Sequence, residues 1–331
     1  MIADPGQERL TTGASLGAAL LASLTRPSWW ALALAGFLLR GGWLLVVLPI
    51  VPLPTTAGLA NAVGPTLVGF VFGGASASFL LLAGILAASI VAWFIASGAV
   101  GGWLELGLVR GAAEDDELEG QPSPTHGDGW RAFAVRAVAH IPTAVLAVAA
   151  SARVVEATYA ELIAPGDPTL AVPLRVALRI PETVAALVAA WLLGETVGGL
   201  AVRHLAWGAG IPAAIGRGIA SLARPSALVT LAVTTLVVAM TLLGSTAAIG
   251  TTWEQLRIAL LDGAAASDVR LALVIFSLTW AVGLWLLAVA TTWRSAAWTF
   301  EVGRLLAVGD HRPTLDVTSR GSSVDPGVLA R

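Results

Sequence analysis

The chain has 331 residues, of which 56% are hydrophobic and 12% charged, with a formal net charge of −2. So few charged groups cannot cover the apolar surface of a water-soluble globule of this size, so the composition makes the bilayer its solvent. Cysteine and lysine are both absent, which excludes disulfides, thiolate catalysis and Cys-ligated metals, and the small net charge carries no signal for nucleic acid as a partner.

Met1 to Arg9 carry acids as well as arginine, and the first long apolar run begins at Trp29. That is not the layout of a cleavable leader, so the first span is expected to stay as an anchor. Hydropathy predicts membrane-spanning helices near residues 28–52, 78–101, 142–163, 181–202, 226–249 and 269–293. Each is close to the roughly 20 residues a helix needs to cross hydrocarbon, where backbone groups must pair internally.

An internal repeat organises these spans. The openings read Ala22-Ser23-Leu24-Thr25-Arg26-Pro27-Ser28, Ala137-Val138-Ala139-His140-Ile141-Pro142-Thr143 and Ala220-Ser221-Leu222-Ala223-Arg224-Pro225-Ser226. The closings read Val100-Gly101-Gly102-Trp103, Val197-Gly198-Gly199-Leu200 and Ser295-Ala296-Ala297-Trp298. Periodicity of this kind predicts an all-α polytopic fold of six transmembrane helices in three repeated hairpins with interfacial amphipathic helices. The predicted organisation is hairpin one over 1–111, a flexible acidic linker over 112–128, hairpin two over 129–208, hairpin three over 209–308 and a disordered tail over 309–331. Each proline suits the first turn of a span, where its missing N–H is no loss. Each small pair is expected to form an elbow at which the returning span bends onto the membrane surface.

Thirteen arginines fall on the sides of the N-terminal segment, the 102–141 and 203–225 connections and the tail, against five on the opposite side. The positive-inside rule counts only basic residues, so both termini are predicted in the cytoplasm of a bacterial cell, with the chain in the inner membrane. The acidic run from Glu114 to Glu119 does not alter that count. On the outer side, the uncharged Gly58 to Gly74, Leu174 to Ile180 and Trp253 to Leu261 are expected as short interfacial helices.

Charged residues within spans are costly in lipid and mark the candidate site. Counted from the repeat prolines, Arg40, Arg153 and Glu156 lie at depths of about 16–21 Å, and Glu182 reaches the same layer from the other direction. The expectation is a buried layer of Arg40, Arg153, Glu156 and Glu182, with Arg40 paired to Glu156 or Glu182. It is either a lock between hairpins or the lining of a polar path. Arg175 and Arg179, one turn apart, are candidates for attracting anions at the outer surface. His126, His140, His204 and His311 show no metal-ligand spacing, and no phosphate loop or nucleophile elbow occurs, so no metal, cofactor or catalytic residue is expected.

The prolines are not followed by the charge pattern of mitochondrial-type carriers. Serial hairpins with Gly101-Gly102 and Gly198-Gly199 at their elbows instead resemble the six-helix membrane domains that accompany bacterial glycerophosphodiester phosphodiesterases, and related bacterial membrane families. The resemblance implies a membrane module without the soluble phosphodiesterase domain. The functional expectation is a non-catalytic subunit, scaffold or assembly partner of a larger membrane complex, its partners being lipids and other membrane subunits. The alternative is a transporter or channel for a lipid-like or small solute that uses the buried Arg/Glu layer.

Overall fold

The computed structural model describes residues 12–47, 73–74, 76–115, 128–167 and 172–310, with positions 50, 58, 61 and 170. Among them the chain is helical and no strand occurs. In chain order the helices are α1 (Thr12–Thr25), α2 (Pro27–Phe37), a π-helical turn (Leu38–Gly42), α3 (Trp43–Val47), α4 (Ala77–Asp115), α5 (Asp128–Ala139) and α6 (Ile141–Ile163). Then follow α7 (Val172–Arg179), α8 (Pro181–Ala206), α9 (Ile211–Ser221), α10 (Pro225–Leu261) and α11 (Ala266–Asp310). A proline occupies the first or second position of α2, α6, α8, α9 and α10. There it ends the preceding segment without removing a helical hydrogen bond.

Five helices are long and apolar enough to cross a membrane: Leu80–Asp115, Ile141–Glu161, Pro181–Ala206, Pro225–Leu261 and Ala266–Leu306. The segment expected as the first span is not among them. Its helix breaks at Arg40 and Gly41 within the π-helical turn, where Gly41 takes φ 96°, a backbone conformation that side chains with a Cβ avoid. Residues 48, 49, 51 and 52 of that expected span lie outside the described residues.

The small pairs are not elbows. Gly101-Gly102 lies inside α4, Gly198-Gly199 inside α8 and Ala296-Ala297 inside α11. At 39, 37 and 45 residues, α4, α10 and α11 run about 58, 56 and 68 Å, close to twice a hydrocarbon thickness of about 30 Å. The pairs act instead as close-approach points. A Cβ on Gly102 would stand 2.8 Å from the Gly129 carbonyl of α5, and one on Gly199 would run into the Trp298 ring of α11. Trp253 to Leu261 is likewise the end of α10, not a separate surface helix.

This arrangement divides the molecule lengthwise. On α4, Leu80, Leu81, Leu82, Ile85, Leu86 and Ile90 are exposed, whereas Leu106, Val109, Ala112 and Ala113 are buried. The same switch occurs along α8 and α11: Val197 to Leu205 is buried throughout, and Leu287 to Val302 is buried apart from the partly buried Val289, Trp293, Arg294 and Ser295. Exposed apolar side chains in long helices are what a lipid-facing surface requires. The packed end gathers the C-terminal halves of α4, α8 and α11 with the short helices. Ala19 and Ala22 of α1 meet Trp29, Leu108 and Ala296, while Ala132 and Val135 of α5 meet Leu106, Ala201 and Ala214. Alanine-rich faces let these backbones come close, and that closeness supplies the packing.

The linker residues 116–127 and the tail beyond 310 lie outside the described residues, as do most positions from Gly58 to Gly74, and His126 and His311. Glu114 and Asp115, where the acidic run begins, close α4 and pair with Arg110 and Arg26.

Candidate functional site: a cavity of arginines around Glu105

At the packed end, α4 carries Glu105 into the interior, its side chain only 5% exposed. Three arginines from three other segments converge on it. Arg136 of α5 lies side-on, with Nε donating to Oε2 and Nη2 to Oε1, both at 2.7 Å. Arg203 of α8 donates from Nη1 to Oε1 at 3.2 Å, and Arg40 of the π-helical turn brings Nη2 to 3.3 Å from Oε2. Arg136 also donates from Nη1 to Glu195 of α8 at 2.9 Å. Burial works against the Arg136 charge, but Glu105 and Glu195 outweigh it and hold its pKa above the ordinary arginine value.

Backbone carbonyls complete the cluster. Arg203 donates to the Gly199 carbonyl at 2.7 Å and to the Ser295 carbonyl and Oγ at 3.0 Å each, while Arg40 donates to the Gly101 carbonyl at 3.3 Å. These contacts explain the small pairs chemically. A helical turn without bulk leaves its carbonyl open to a guanidinium from the same helix or a neighbour. Arg40 stands at the last position before the chain changes direction at Gly41, so the break redirects the segment that follows it.

Beside this cluster is a cavity of about 430 Å³. Its lining includes Arg40, Arg136, Arg203 and Arg294 against Glu105 and Glu195, so four positive charges face two negative and the surplus is two positive. Arg294 is distinctive. Among the described residues it has no ion pair and no hydrogen bond; its guanidinium stands 5.3 Å from the centre of the Trp298 ring, which Arg203 approaches at 5.4 Å. Trp298 is itself fixed, donating from Nε1 to Thr234 Oγ1 at 2.8 Å. Cation–π contact of this kind holds an arginine in place without neutralising it.

The residues expected to form one buried layer are divided. Arg40 pairs with Glu105, not with Glu156 or Glu182. Arg153 pairs with Glu182 at 3.1 Å, and both side chains are about two-thirds exposed. Glu156 is exposed on the same surface and, among the described residues, forms no ion pair. Glu182 and Glu195 lie on one unbroken helix, thirteen residues or about 20 Å apart. The arginine cavity and the Arg153–Glu182 pair are therefore separate. Depth counted from the prolines failed because α4 does not turn at Gly101-Gly102: it runs on to Asp115 and brings Glu105 alongside Arg40. The outer candidates Arg175 and Arg179 both reach Glu161, which lies buried at the end of α6.

The sequence reading did not select Glu105, Arg136, Arg203 or Arg294. A signal for two of them was present: Glu105 and Arg203 stand one helical turn after their small pairs, as does Glu301 after Ala296-Ala297. Glu301 is buried, accepting from Ser226 Oγ at 2.8 Å and pairing with Arg304. Placing a charge one turn past a small pair puts it against whatever backbone that pair admits.

No family model, curated protein or solved structure matches the chain.

Proposed function

We propose that the chain is a non-catalytic, multi-pass protein of the bacterial cytoplasmic membrane that binds an anionic solute in the arginine cavity and moves it through the bilayer. The observation that carries this reading is the charge balance. Four guanidinium groups line the cavity with two carboxylates, and Arg294, near Glu195 but out of contact with it, makes no direct ion pair or hydrogen bond among the described residues. A surplus of positive charge inside a membrane protein is costly unless an anion or water compensates it. Both carboxylates are engaged by arginine, which suits them to positioning cations.

The same reading takes α2, the π-helical turn and α3 as part of a sixth span, so that the chain forms three two-helix repeats with both termini in the cytoplasm. A span broken beside a buried charge is the usual construction of a membrane solute site, and the break falls at Arg40 to Gly42.

A second reading, a subunit or scaffold of a larger membrane complex, is favoured by a different place. Arg153, Glu156 and Glu182 are exposed among the exposed apolar residues Val148, Val155 and Tyr159 of α6. Charges on such a surface call for a protein neighbour. Native mass spectrometry of the protein purified from its own membranes in mild detergent separates the two. A retained anionic molecule that is lost with Arg294→Gln supports solute handling; a stoichiometric protein partner with an empty cavity supports the scaffold.

A further inference from the structure

We infer that the anion is the headgroup of a membrane lipid bearing a phosphomonoester, admitted sideways from the bilayer, with Arg294 as its principal cation. This rests on the solute-handling reading and names the class of solute.

Three features converge on it. The first is charge. A phosphomonoester carries about −1.5 to −2 at neutral pH, which matches the cavity's surplus of two positive charges; a carboxylate would leave one uncompensated. Guanidinium is also the cation whose flat fork suits phosphate oxygens. Arg294 has its donors uncommitted among the described residues, and the Thr235 hydroxyl, also on the lining, has no hydrogen bond there either.

The second feature is the apolar part of the lining. Leu44 of α3 and Trp191 and Leu192 of α8 line the cavity and are exposed, and their chain neighbours Trp43 and Leu193, which are not on the lining, are exposed as well. An apolar lining that continues onto an exposed apolar surface gives acyl chains a route between bilayer and cavity. A free inorganic anion would have no use for it. The third is size. A volume of about 430 Å³ lies within the range of small-molecule sites, about 300–1,000 Å³. That is room for a phosphate, its glycerol and the first carbons of the chains, with the remainder left in lipid.

The test uses the full chain in detergent, titrated separately with short-chain phosphatidic acid, the matching phosphatidylglycerol, a fatty acid of equal chain length and inorganic phosphate. Binding is read by native mass spectrometry and tryptophan fluorescence. The expected result is one phosphatidic acid per chain, bound at least about tenfold more tightly than any of the others, since an extra charge-assisted hydrogen bond is worth that much. Arg294→Gln should weaken it at least about tenfold, Arg294→Lys should recover part of the loss, and Arg153→Gln should change nothing.

Equal binding of the fatty acid or of phosphatidylglycerol would overturn the phosphomonoester assignment and leave an anion site standing. Equal binding of inorganic phosphate would overturn the lipid assignment and likewise leave the anion site. Saturable binding of none of the four would remove both this inference and the function it rests on. Undiminished binding by a folded Arg294→Gln protein would overturn the role of Arg294. Should that variant not fold, the ranking of the four ligands on the unaltered chain decides the matter.

Discussion

Arg136 meets Glu105 side-on, each of two guanidinium nitrogens 2.7 Å from a different carboxylate oxygen, while its third nitrogen holds Glu195. One arginine thus ties α5 to both α4 and α8. The two-point contact fixes orientation as well as distance, which a single hydrogen bond cannot do. Glu105 is the common anion of three arginines, so it holds together cations that would otherwise repel one another.

Removing the carboxylate charge should therefore be severe. Glu105→Gln leaves Arg40, Arg136 and Arg203 without their shared anion, and the expected loss is about 3–5 kcal/mol. It would be read as a lowered unfolding temperature in one fixed detergent. Arg110→Gln, which breaks an exposed pair on the same helix, should cost under about 1 kcal/mol. Similar losses for the two variants would mean that Glu105 does not organise the cluster.

Arg136→Lys should not rescue the fork. An ammonium is one point of charge and cannot reach Glu105 twice and Glu195 once in the same geometry. Melting temperature should fall clearly below that of the parent, and the lipid titration should weaken with it. A lysine variant equal to the parent in both would show that charge alone matters there.

Gly199 lies against the Trp298 ring with no room for a Cβ. Gly199→Val should cost about 1–3 kcal/mol through overpacking. Because Trp298 also holds Arg294 and Arg203 over its ring, near-ultraviolet circular dichroism should change along with stability. Coupling is the diagnostic: Trp298→Leu combined with Gly199→Val should cost less than the sum of the two single changes.

At Gly41, whose φ is 96°, Gly41→Val should strain the backbone by about 1–3 kcal/mol. The larger effect should be on binding, since Arg40, Gly41, Gly42 and Leu44 all line the cavity. Anion affinity unchanged in a folded Gly41→Val protein would argue that the break is incidental to the site.

A chain with no cysteine permits a direct check of orientation. Asp262 lies in the turn between α10 and α11, and Gly216 on the exposed face of α9. With a membrane-impermeant thiol reagent on intact cells, Asp262→Cys should react and Gly216→Cys should react only after permeabilisation. The reverse pattern would invert the proposed topology.

What the sequence by itself determined is the class of the protein: helical, with helices long and apolar enough to cross a membrane, and punctuated by proline at helix starts. Hydropathy and proline act locally, so neighbours in the chain suffice to read them. Tertiary structure decided the site. Nothing in the run Trp103 to Arg110 shows that Glu105 is buried, because a helix of Trp, Leu, Gly and charge reads equally well as a surface helix. Only the continuation of α4 through Gly101-Gly102, and the close approach of α5 that Gly102 allows, place that carboxylate among arginines 31, 65 and 98 residues away along the chain. Ion pairs across such separations depend on how helices lie against one another, and that is set by the summed packing of small residues on several helices at once. Arg153 and Glu182 make the converse point. Their pairing follows from two adjacent helices of one segment, and the sequence expectation put them at one level; their exposure, and their separation from Arg40, belong to the packing alone.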